Sequence, residues 1–277
     1  MQFKTGYELI YTFFQPTPII LVVNIHESRE ADLVVPDRLQ VEPSIPIHRY
    51  RDSFGNQCHR IVAPPGQIRI TADAIVNDDG QLDVQHPSLA QDSVEDLPYE
   101  TLQFLLGSRY CETDLLLNTA WNLFGGTVPG YARVQAICSY VHNHIVFNYQ
   151  NARPTRTAAE ALREGTGVCR DYAHLAVTFC RCMNIPARYC TGYMSDVGTP
   201  LPYPPGDFAA WFEAFIGGRW HMFDPRNFVP RVGRILMARG RDASDVAIAT
   251  TFGPNTLDSF RVWTDEIVPT KSQTQAG

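Results

Sequence analysis

Gly165-Thr-Gly-Val-Cys169-Arg-Asp-Tyr-Ala-His174 sets a cysteine after a glycine-framed turn and at the head of a helical pattern. From Arg170 to Met183 the apolar residues Ala173, Ala176, Val177, Cys180 and Met183 fall on one helical face, and Asn184 ends the run before Ile185-Pro186. A helix start carries unpaired amides and the positive end of the helix dipole. Both favour a thiolate and lower the thiol pKa, and the same amides can hold an oxyanion. Gly165 and Gly167 allow a tight entry and the close approach of a substrate. Taken alone, the stretch fits a buried cysteine at a helix cap equally well.

The segment that follows shifts the balance. Ala187 to Met194 reads as a strand, and Ser195 to Gly206 as a loop rich in proline and glycine. Phe208 to Ile216, Gly217-Gly218 and Arg219 to Asp224 then form a hairpin signature. A two-residue turn pairs Ile216 with Arg219, Trp211 with Asp224 and Ala209 with Arg226. Side chains alternate along a strand, so Ala209, Trp211, Glu213, Met222 and Asp224 share one face and His221 lies on the other.

Three blocks in this order carry a resemblance: Gly165 to His174, Asn184-Ile-Pro-Ala-Arg-Tyr-Cys-Thr-Gly-Tyr193, and Ala210-Trp-Phe-Glu213 running to Trp220-His-Met-Phe-Asp-Pro225. Over roughly residues 110 to 230 the chain resembles the transglutaminase-like superfamily, relatives of the papain-like cysteine proteases. The resemblance implies an α+β fold in which a helix-borne cysteine packs on an antiparallel sheet. It implies Cys169 as the nucleophile that forms a thioester with an acyl donor, and Asp224 as the carboxylate that orients a histidine base. The family's histidine directly precedes the Ala-Trp pair, and here that position is Ala209. Trp211, Gly167 and Arg170 are expected at the cleft. The first 85 residues resemble the β domain that precedes this unit in bacterial members.

No other histidine fits the empty role on sequence grounds. His221 is on the wrong strand face and nearer the turn. His174 lies about 140° round the helix from Cys169 and reads as a packing residue. His142 and His144 lie near a helix end, and the other four of the eight histidines precede residue 87. A cysteine without a base still reacts as its thiolate fraction allows, but loss of one triad member costs roughly 10⁴- to 10⁶-fold in turnover. The expected function is thiol acyl transfer or hydrolysis on an amide or peptide, with a peptide, protein or small amide as substrate. The alternative is a binding or scaffold protein that keeps the cleft and has lost efficient catalysis. In either case Asp224 needs a new partner, with Arg226, Arg219 or water as candidates.

The rest of the 277-residue chain supplies the frame. Short apolar or β-branched stretches at Tyr7–Phe14, Ile19–Ile25, Leu39–Ile47, Ser53–Ile61 and Gln67–Val76 predict an N-terminal β-sandwich over residues 1–85. Residues 86–110 read as a connector, 111–265 as the papain- and transglutaminase-like domain, and 266–277 as a tail. Helices are predicted over Glu112–Phe124, Gly130–His144 and Thr157–Arg163, the last with Thr155 or Thr157 as N-cap and Glu160 in the capping-box position for the latter. Gly233 to Asp245, with several arginines, reads as a solvated or ion-paired loop. The net charge of −6 offers no electrostatic reason to bind nucleic acid or an anionic membrane. Seven cysteines without disulfide spacing, and no signal-like N-terminus, predict a reducing cytoplasm. Cys180, Cys182 and Cys190 lack zinc spacing, so neither metal nor cofactor is expected.

Overall fold

The computed structural model describes residues 1–200, 203 and 206–268. The fold is α+β: an N-terminal β-sandwich followed by the helix-and-sheet unit that carries Cys169. Parts of the Ser195–Gly206 loop and most of the 266–277 tail lie outside the described residues.

Strand alternation builds the sandwich. In Gln2–Phe13 the residues Phe3, Thr5, Tyr7, Leu9, Tyr11 and Phe13 all point inward and are buried. Gly66–Asn77 answers with Ile68, Ile70, Ala72, Ala74 and Val76. The two strands pair antiparallel along their whole length. A second sheet contributes Ile19 and Leu21 from Thr17–Leu21, and Ile61 and Ala63 from Gln57–Ala63, to the same core. Each large apolar side chain buried this way contributes about 1.5–3 kcal/mol.

The last strands return to this sandwich. Asn255–Glu266, which the sequence reading counts with the second unit, pairs antiparallel with Gln2–Phe13, and Ala249–Thr251 pairs with Thr17–Leu21. The physical reason is edge protection: the twelve-residue first strand would otherwise offer a long unpaired edge. Gly6 makes the docking possible, because a Cβ there would lie 2.5 Å from the Trp263 ring and 2.4 Å from the Ala72 carbonyl oxygen.

In the second unit the sheet order is Arg219–Phe223, Ala209–Ile216, Ala187–Met194, Arg234–Gly240, all antiparallel. Ile216 pairs with Arg219 and Phe212 with Phe223, the register that the Gly217-Gly218 turn predicts. Arg234–Gly240 corrects the expectation of a loop at Gly233–Asp245. Ile235, Met237 and Ala238 are buried, and only Arg241 and Asp245 at its end form the exposed type of ion pair. Ile235, Met237 and Tyr193 join the sandwich core, so the two units share apolar packing.

The cysteine helix, Cys169–Cys182, lies between this sheet and the helices Thr113–Phe124 and Tyr131–His144, and every residue from Asp171 to Cys182 is buried. Ahead of it, Ala158–Glu164 begins at Thr157 with a complete capping box to Glu160 and ends on Gly165 in the left-handed region at φ 63°. Among the described residues no helix is long and apolar enough to cross a membrane.

Candidate active site

The start of the cysteine helix is locked by buried charge. The Asp171 carboxylate accepts from the Val168 amide at 2.9 Å and pairs with Arg156 at 3.1 Å. Arg156 also binds Glu164 at 3.0 Å and the Asn151 carbonyl at 2.8 Å. Gly167 packs against this carboxylate: a Cβ there would lie 2.7 Å from the Asp171 Cβ and Oδ2. Its role is to let the capping side chain fold back, not to admit a substrate.

Cys169 follows this lock and opens on a cavity of about 240 Å³. Phe147, Tyr149, Asp207, Phe208, Ala209 and Ala210 contribute to its lining. Val262 to Asp265, from the strand that completes the sandwich, also line it. Two other residues expected at the cleft lie behind its wall. Trp211 is buried, with Arg234 over its ring at 5.0 Å. Arg170 turns its guanidinium to the Arg153 carbonyl and lies over the Tyr110 ring at 5.7 Å.

The electrostatics of Cys169 run against the helix-start expectation. Burial, then the carboxylate of Asp207, push its thiol up to about 12, and Asp224 adds to the rise. The amide of Ala210 on the neighbouring strand and that of Arg170 in the first helical turn pull it down, but they are outweighed. Asp207 is itself raised, first by burial, while the Phe208 amide and the Tyr149 hydroxyl pull it down. The Tyr149 hydroxyl donates to Asp207 Oδ2 at 3.3 Å. Burial and the same carboxylate push that hydroxyl up to about 12.

None of the eight histidines lines this cavity among the described residues. His174 is fully buried, stacked on Tyr110 at 4.9 Å, and accepts from the Ala243 amide at 3.1 Å. His221 bonds the Ile216 carbonyl at 3.1 Å on the opposite face of the hairpin. His144 bonds the Leu162 carbonyl at 2.6 Å, and His142 faces the Pro225 and Arg226 carbonyls at 3.2 Å.

Asp224 is buried and fully engaged. It accepts from the Arg226 and Asn227 amides at 3.1 and 3.0 Å and from Asn227 Nδ2 at 2.7 Å. Its cationic partner is Arg234 at 3.1 Å, which also binds Asp83 at 3.2 Å. Neither the Arg226 guanidinium nor Arg219 takes that place. Arg226 contributes its backbone amide, and its guanidinium lies over the Phe147 ring at 4.3 Å.

A family model described as the transglutaminase-like superfamily matches residues 118–225. The solved structure of a Cytophaga hutchinsonii protein, described as a "putative cysteine protease", superposes with a TM-score of 0.83 at 30% identity, over 98% of this chain and 92% of that one. The chain belongs to the transglutaminase-like superfamily. An uncharacterized protein of Mycobacterium leprae (strain TN) is 39% identical over 94 residues, 32% of this chain and 32% of that protein. The chain thus matches about a third of the length of that curated relative.

Three features of this superfamily member escape a reading of its sequence. Asp207 had a usable signal: it lies two residues before Ala209, the spacing that returns an extended chain to the same face. Tyr149 had none, being a lone aromatic in a short turn. The Val262–Asp265 wall had none either, because its place depends on pairing with the first strand.

Proposed function

We propose that this chain performs thiol-dependent acyl transfer or hydrolysis on an amide or peptide, with Cys169 as the nucleophile and turnover limited by the alanine at 209. One observation carries the reading. Six of the seven cysteines are fully buried, whereas Cys169 is half-buried and meets a cavity at a helix entry, where the Ala210 and Arg170 amides favour its anion. Those amides can stabilise both a thiolate and the oxyanion of a tetrahedral intermediate. Arg234 and Asn227 occupy Asp224, so its part is to brace the hairpin end rather than to orient a base. A peptide, protein or small amide is the proposed substrate. The seven unpaired cysteines support a reducing compartment such as the cytoplasm.

A second reading, a binding protein that retains the cleft, is favoured by the thiol at about 12. Such a group is almost wholly protonated at neutral pH. Time-resolved mass spectrometry with p-nitrophenyl acetate and with iodoacetamide separates the two. For the enzyme reading, a single acetyl group should build on Cys169 and then leave in water, and Cys169→Ala should abolish both steps. Alkylation should reach Cys169 before the other cysteines and quicken steadily above pH 9. Alkylation of Cys169 with no acetylation decides for the binding reading.

A further inference from the structure

We infer that Asp207 is the proton acceptor for Cys169, in the role that Ala209 cannot fill. The inference rests on the acyl-transfer reading and names the base for it. The cavity offers few acceptors among the described residues. The Tyr149 hydroxyl is too weakly acidic to cycle, and the arginines stay protonated. Asp196 is paired with Arg231 at 3.8 Å, and Asp224 is held by Arg234 and three hydrogen bonds. Asp265 is exposed and is not among the carboxylates that act on the thiol.

Asp207 differs from these. It lines the cavity beside Ala209, and its carboxylate is the charge that acts most strongly on the thiol. The Tyr149 hydroxyl and the Phe208 amide steady it, and no cation pairs with it among the described residues. Burial makes it a stronger base than an exposed carboxylate.

Charge counting supports the same assignment. Burial first, and then the second negative charge that a thiolate would place beside ionised Asp207, keep the proton on the resting thiol. Handing that proton to Asp207 as the S–C bond forms leaves a single negative charge throughout.

The step is then complete in atoms. The Sγ–H proton passes to the Asp207 carboxylate while sulfur bonds the carbonyl carbon and the C=O electron pair moves onto oxygen. Collapse re-forms C=O and breaks the bond to the leaving amine, which takes the proton from Asp207. Water then adds to the thioester, its proton going to Asp207. When the C–S bond breaks, the sulfur regains that proton, giving a carboxylic acid and an amine from an amide and water.

The test compares native protein, Asp207→Asn and Asp207→Glu with the same two reagents. Acetylation by p-nitrophenyl acetate at pH 7 should fall about 10²-fold in Asp207→Asn, the usual worth of a positioned base. Asp207→Glu should keep measurable acetylation. Alkylation by iodoacetamide should instead quicken in Asp207→Asn, because removing the charge makes the thiol more acidic. The native acetylation rate should rise through the carboxyl range and level off, whereas that of Asp207→Asn should rise only with the alkaline thiol. Undiminished acetylation in Asp207→Asn overturns the assignment and leaves acyl transfer standing. Loss of both reactions in that variant also overturns it, since a merely distorted site loses both. A native protein that is alkylated but never acetylated overturns the assignment and the acyl-transfer reading together.

Discussion

Position 209 carries a methyl group, on the proposed reading in the place of a histidine base, and the consequences of that reading fall on two neighbours. The Cys169 thiol has no imidazolium to stabilise its anion, so burial and the Asp207 charge push it up to about 12. Asp224 has no imidazole to orient and is bound instead by Arg234 at 3.1 Å. Ala209→His should reverse the first effect. An imidazole beside the thiol should raise acetylation at pH 7 by about 10²-fold. It should also move the pH dependence toward the histidine range near 6.5. The gain should stay below that of a complete triad because Arg234 keeps its hold on Asp224. Stopped-flow acetylation of the variant across pH 5–9 checks this, and an unchanged rate would refute the assigned geometry. Strand alternation predicts a shared face for Ala209 and Asp224, whereas Ala209 lines the Cys169 cavity and Asp224 borders another. The partner of Asp224 was not legible, because Arg234 sits on a separate strand read as part of a loop.

The cysteine helix is an element whose position depends on one buried ion pair. Arg156 and Asp171 are almost fully enclosed, and the carboxylate caps the helix from inside. Removing one partner of such a pair strands the other charge at a cost of about 3–5 kcal/mol. Asp171→Asn should fall at the lower end, since Glu164 still neutralises Arg156. The urea midpoint should drop accordingly with little change in slope. Glu164→Gln, at a partly exposed position, should cost about 1 kcal/mol or less. The helix itself, its apolar face and the Thr157 cap before it were readable from short-range periodicity and capping chemistry. The lock was not, because Asp171 in the first turn looks like any residue that complements a helix dipole.

Across the whole molecule, the sandwich and the cysteine unit are joined by buried polar groups as well as by apolar packing. The amide of His26 donates to the Leu236 carbonyl at 2.9 Å, linking the sandwich to the strand Arg234–Gly240. Its ring is lowered to about 4, first by burial and then by Arg239 and Arg188. Burial and Arg49 lower His59 to about 4 as well. Both folded values lie below the unfolded value of about 6.5, so their stabilisation is full above pH 6.5 and is lost as pH falls toward 4. Asp37 acts oppositely. Raised to about 6, chiefly by burial, it contributes stability at low pH that is lost as pH rises through 6. Burial lowers His174 and His221 as well and raises Asp207, so four lowered histidines stand against two raised carboxyls and leave a net loss on acidification. The urea midpoint should decline from pH 7 to pH 4.5, and His59→Gln should flatten that decline; an equal slope in the variant would remove His59 from the account.

The sequence by itself determined the superfamily, the cysteine helix, the hairpin register and the place of Ala209 just before the Ala210-Trp211 pair. All four follow from local periodicity, turn chemistry and motif order. The tertiary structure alone decided which residues enclose the site and in what charge state. The Val262–Asp265 wall arrives by pairing with the first strand, and the protonation of Cys169 is set by burial and by carboxylates distant in the chain. Desolvation and Coulomb energy depend on distance in space, which no short window of sequence records.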